Sequence, residues 1–196
     1  MDGARTEIFL RPLGSPLPLG LAGLVVASLV VSGLDLGWVP ATAGHDVGLL
    51  LLAGPVPLQL LACAFALPAR DGAAATSMGL LCVSWLSMGL IRLLSAPGTV
   101  SDTLGLVLLA TGVLLAGSAL GQGTGKPLAG LTLGLAAARL LLSALHELTG
   151  SDGLKTVSGI VGLAVVVCAA YLVTALQVED AQDEAVLPVG CRGRAW

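Results

Sequence analysis

Residues 104–121 read LGLVLLATGVLLAGSALG, a run without a single charged side chain. A stretch of that length and apolarity suits a helix crossing about 30 Å of hydrocarbon at 1.5 Å per residue. In a bilayer every backbone N–H and C=O must be satisfied internally, which leaves helices or closed barrels. Strict apolar–polar alternation is missing, so a barrel strand does not fit and a transmembrane helix does.

Five further runs of the same kind flank this one. They cover residues 19–38, 47–67, 73–94, 128–146 and 154–176, which predicts an all-α membrane protein with six transmembrane helices. The breakers agree. Pro16 and Pro18 precede the first span, Pro40 follows it, Pro68 ends the second, and Pro97-Gly98 separates the third from the fourth. Gly125-Lys126-Pro127 opens the fifth. Pro55 and Pro57 fall inside the second, so a kink or local break is expected there.

Composition points the same way. Hydrophobic residues make up 56 % of the chain and charged ones 11 %, with a mean hydropathy of +0.96. Soluble domains are roughly a quarter charged, so the solvent for this chain is mostly lipid. A net charge of −3 without a basic run argues against nucleic-acid binding. Cys63, Cys82 and Cys168 lie in apolar runs and Cys191 in the tail, with no metal-type pairing. The first apolar run is of full length and lacks a cleavage site, so no signal peptide is expected. The expected organisation is a cytoplasmic segment 1–18, a membrane domain 19–177 and a cytoplasmic tail 178–196, whose acidic stretch Glu179–Glu184 is solvated.

Six spans put both ends on one side. That side carries Arg5, Arg11, Arg70, Lys126, Arg192 and Arg194, whereas the opposite side has Lys155. The positive-inside rule makes the first side cytoplasmic, and a plasma-membrane location is expected. The pairs Gly33/Gly37, Gly117/Gly121 and Gly130/Gly134 have the spacing that lets helices approach closely.

Four stretches carry a resemblance to a known family. Ser15-Pro16-Leu17-Pro18-Leu19-Gly20-Leu21-Ala22-Gly23 resembles the Asn-Pro-Ala-Pro-Leu-Gly-Leu signature of the acetate–succinate transporter family. Thr76-Ser77-Met78-Gly79-Leu80-Leu81-Cys82-Val83-Ser84-Trp85 is similar to the family's third span. Gly159-Ile160-Val161-Gly162-Leu163 through Ala170-Tyr171-Leu172 is similar to its sixth, and Val186-Leu187-Pro188-Val189-Gly190 to its closing Val-Leu-Pro-Ile-Gly. The resemblance implies a homo-hexamer of six-helix subunits that passes acetate, succinate and similar small carboxylates, as a proton symport or in a channel-like way. It also implies a substrate pathway along Ser15, Pro16, Pro18, Leu19, Gly20, Leu24 and Leu81. Three positions depart from the pattern. Ser15 replaces the signature Asn, and Leu24 and Leu81 stand where the family narrows its pathway with Phe and Tyr. A leucine constriction can gate by excluding water.

Among residues able to carry chemistry, Arg139 is the most informative. It lies about 18 Å into the fifth span, where an Arg costs on the order of 3 kcal/mol, so it must face a partner or a wet cavity. At helical spacing it shares a face with Ser143, His146 and Glu147. Arg139 and Ser143 are candidates for the pathway, with the guanidinium attracting a carboxylate; the alternative is a structural ion pair or contacts to backbone carbonyls. His146 and Glu147 are candidates for proton coupling, or else mark a solvated helix end. Arg92 is placed to snorkel, Asp35 reads as an interfacial acid, His45 as a loop residue, and Asp46 as the cap of the second helix. Pro16 and Pro18 with Gly20 and Gly23 either expose backbone donors for a carboxylate or form a rigid, tightly packed entry turn.

No metal spacing, nucleophile elbow or phosphate loop is present, so neither an enzyme nor a cofactor is expected. The expected function is a membrane transporter or channel for acetate-like carboxylates. The alternatives are a non-transporting membrane subunit that keeps the fold, or a pore for a small neutral solute.

Overall fold

The computed structural model describes residues 15–182 and 186–189. Arg5, Arg11, Cys191, Arg192 and Arg194 lie outside the described residues. The described chain is all helical, in six spans long and apolar enough to cross a membrane, and is a multi-pass membrane protein.

The first span is α1, Leu17–Asp35, with Pro16 before it and Pro18 in its first turn. It stops three residues short of the expected end, where the backbone turns at Gly37, whose φ of +75° favours glycine. The second span is broken as the prolines predict. Helix α2, Gly44–Ala53, and helix α3, Pro55–Ala66, meet at Gly54. Pro55 has no N–H to donate into α2, so the ladder ends there and restarts.

Helix α4, Gly72–Leu94, begins at Asp71, whose carboxylate accepts from the Ala74 N–H at 2.9 Å. Helix α5, Asp102–Gly123, is capped by the Ser101 hydroxyl in the same way. Helix α6, Pro127–Thr149, ends at Gly150 in the left-handed region, φ +69°. Helix α7, Asp152–Gln182, continues six residues beyond the expected span, so Glu179 and Asp180 are helical. The described tail turns back on α7, where the Tyr171 hydroxyl donates to the Pro188 carbonyl at 3.2 Å and Val189 is buried.

Two smaller expectations are corrected. His45 lies in the first turn of α2, with Nε2 3.2 Å from the Ser95 carbonyl, so it is no loop residue. Asp46 sits one residue further in, where it meets the helix dipole; no side chain caps α2.

The spans pack in chain order. Helix α1 lies against α3, α4 against α2 and α3, α5 against α4, α6 against α5, and α7 against both α6 and α1. First and last helices thus close a ring of six spans. Helices α5 and α6 approach closely, backbone to backbone: a Cβ on Gly130 would fall 2.5 Å from the Gly123 Cα and 3.0 Å from the Ala119 carbonyl. Gly117 and Gly121 face open space instead.

Candidate functional site

Several of the buried polar residues gather around Asp35. Along α1, Ser28, Ser32 and Asp35 recur at helical spacing and form one stripe. Both serines are wholly buried, and their hydroxyls have no hydrogen-bond partner. From α6, Arg139 reaches across to this stripe and is only 2 % exposed. Its Nη2 lies 3.8 Å from Asp35 Oδ2, close enough for charge pairing but too long for a hydrogen bond. Its guanidinium carbon sits 5.5 Å from the centroid of the Trp85 ring on α4, within cation–π range.

Helix α7 completes the cradle with a glycine. A Cβ on Gly162 would stand 2.8 Å from Arg139 Nε and 2.9 Å from its Cζ, and would also collide with the Ser32 hydroxyl. One turn earlier, Ser158 pairs with Ser143 at 2.8 Å and donates to the Arg139 carbonyl at 3.3 Å. These bonds lock α6 to α7 around the arginine.

The cluster is polar but unsaturated. Arg139 Nη1 and Nη2, Trp85 Nε1, Ser28 Oγ and Ser32 Oγ are all buried without a hydrogen-bond partner. Each such group costs roughly 1–3 kcal/mol, more when charged. The Arg139–Asp35 attraction offsets part of this, against the cost of burying both charges. What the cluster still offers is donors, and a carboxylate is the small group that accepts from several donors at once.

Comparison with known proteins bears on the fold around this cluster. No family model and no curated protein matches the chain in sequence. Among solved structures, the bacterial acetate channel SatP superposes with a TM-score of 0.81 at 19 % identity, covering 91 % of this chain and 99 % of that one. This chain has the SatP fold. The fold implied by the sequence resemblance is therefore the one found, and at 19 % identity the likeness speaks for the fold alone.

On the SatP fold the expected pathway residues occupy unlike positions. Ser15 and Leu19 are exposed, Pro16 and Pro18 half-buried. Gly20 is packed: a Cβ there would collide with the Met78 sulfur and lie 3.0 Å from the Ala62 Cβ. Gly23 is less crowded, with a Cβ there 3.2 Å from Gln59 and 3.3 Å from Leu58, but both glycines serve close helix packing. Leu24 on α1 and Leu81 on α4 are wholly buried members of one hydrophobic core.

Ser143 lies beside Arg139 as the spacing predicts. Glu147 is buried on the same face, and its Oε2 accepts from the Ser101 N–H at 2.8 Å, which ties α6 to the start of α5. His146 points elsewhere: its Nδ1 stands 2.9 Å from the Ser151 carbonyl, an acceptor only, so that nitrogen carries the proton. Arg92 and Glu147 line one small cleft near the Asp35 end, with Thr99 and Ser95.

Asp35 is where the sequence misled. It is the last residue of α1, yet its side chain is only 6 % exposed and faces Arg139, so it is no interfacial acid. Ser28, Ser32, Trp85 and the wholly buried Gln59, whose amide N–H reaches the Gly20 carbonyl at 3.5 Å, were also missed. The signal lay in the sequence: polar residues at helical spacing within a span are costly and belong in the interior.

Proposed function

We propose that this protein is a membrane channel or transporter for acetate and similar small carboxylates. The observation that carries this is the likeness to the acetate channel SatP along nearly the whole of both chains. The buried Arg139, with free donors inside the ring, supports it. Proton coupling, a homo-hexameric assembly and a plasma-membrane location with both termini cytoplasmic belong to the same proposal. The arginines near both ends of the sequence support that orientation. Along the pathway, we assign Ser15, Pro16, Pro18 and Leu19 to the entry, which the packed Gly20 holds against α3 and α4, Leu24 and Leu81 to the constriction, and Arg139 and Ser143 to the polar interior. His146 and Glu147 are the candidates for proton coupling.

The test is uptake of labelled acetate into proteoliposomes with and without a pH gradient. Flux above that of empty vesicles is expected, and equal flux would overturn the proposal. A second reading, a non-transporting subunit that keeps the fold, draws support from the wholly buried Leu24 and Leu81. A pore for a neutral solute is separated from both by whether flux follows the anion or a solute such as urea.

A further inference from the structure

We infer that Arg139, Trp85, Ser28 and Ser32 form a binding site for one small monocarboxylate, and that Asp35 is a built-in competitor for it. This rests on the carboxylate reading above and deepens it.

The site is built rather than incidental. Its donors come from three helices, α1, α4 and α6, and α7 backs it with Gly162, the residue type that leaves room for the guanidinium. Arg139, Trp85, Ser28 and Ser32 are each at least nine-tenths buried, and each has a polar atom without a partner. Trp85 and Ser32 flank the unsatisfied guanidinium, with Ser28 one turn further along the same stripe, so the donors can share one acceptor.

Asp35 supplies the chemistry of the competitor. Its side chain is a methylene joined to a carboxylate, which is acetate tethered to the backbone. It approaches Arg139 to 3.8 Å without forming a hydrogen bond, so it neutralises the charge while leaving the donors open. Arg92 and Lys155 also attract the Asp35 carboxylate, so it has permanent cations to turn toward when it leaves Arg139. Ligand entry is then an exchange: the free carboxylate takes the guanidinium and Asp35 is released toward Arg92 and Lys155. The buried charge never stands unpaired, which is the costly alternative.

The experiment uses the purified full-length protein in nanodiscs, with sodium acetate as the probe and sodium chloride as the ionic-strength control. Thermal unfolding is followed for the wild type and for Asp35→Ala, Arg139→Gln and the double variant. Asp35→Ala is expected to unfold at lower temperature without acetate. It should regain stability as acetate is added, at a concentration at least tenfold below that needed by the wild type. Arg139→Gln and the double variant should show no acetate-specific shift. Should Asp35→Ala fail to fold, Asp35→Asn keeps the volume and is expected to show the same gain; should Arg139→Gln fail, Arg139→Lys is expected to keep only a weakened response. Equal acetate responses in wild type, Asp35 variants and Arg139 variants would overturn the inference. Stability is read without flux, so an inactive transporter that still shows the Asp35-dependent response would overturn the transport proposal alone.

Discussion

Gly162 sets how near α7 comes to Arg139, because any side chain there meets the guanidinium and the Ser32 hydroxyl together. Gly162→Val is expected to lower stability by about 1–3 kcal/mol, measured as thermal unfolding in nanodiscs, since Trp85 closes the other side of the arginine. The leucine constriction makes a different prediction. Leu24 and Leu81 are wholly buried, so Leu81→Ala opens space in the core. It should raise acetate flux several-fold in proteoliposomes, and unchanged flux would remove Leu81 from the pathway. At this scale the sequence was legible where a residue contradicted its surroundings. Arg139 stood out as a charge within an apolar run. Asp35 did not, because an acid at a span's end is ordinary, and only the fold shows its side chain turned inward. Trp85 was visible as part of a motif, but nothing in its neighbours announced a cation above its ring.

Among the elements, the break in the second span was the most legible, since a missing N–H and a fixed φ act locally and need no partner. Helix pairing was less so, because Gly-x-x-x-Gly spacing says that a face is smooth without saying what covers it. Gly130 is in contact with the backbone of Gly123 and Ala119, whereas Gly117 faces open space. Gly130→Ala is therefore expected to lose about 1–3 kcal/mol as α5 and α6 are forced apart. Gly117→Ala should stay within about 0.5 kcal/mol, unless a neighbouring subunit covers that face. The contrast, read by thermal unfolding, distinguishes a glycine inside the subunit from one at its surface. Helix ends were misjudged by a few residues where the deciding event was a turn, at Gly37, or a fold-back contact, at Tyr171.

For the whole molecule, six spans require successive loops to alternate between the two faces of the membrane. A single cysteine placed at Thr124, in a background without the native cysteines, and one at Ser151 should be labelled by an impermeant thiol reagent from opposite sides. Labelling of both from one side would break the six-span topology. That topology was legible from run lengths and breakers alone, because hydrocarbon thickness dictates span length directly. The packed interior was not, since it depends on which faces of six helices turn inward.

The ring is joined through its two ends, α1 and α7, and this carries a consequence for how the protein is made. Synthesis delivers α1 first and α7 last, so the stripe of Ser28, Ser32 and Asp35 enters the membrane long before its cover exists. Arg139 arrives on α6 and can then find Asp35, but the wall at Gly162 is still missing. Until the final helix is inserted, the most polar part of the molecule faces lipid on one flank. A chain truncated after Gly150 is therefore expected to expose Arg139 on the flank that Gly162 and the rest of α7 would cover.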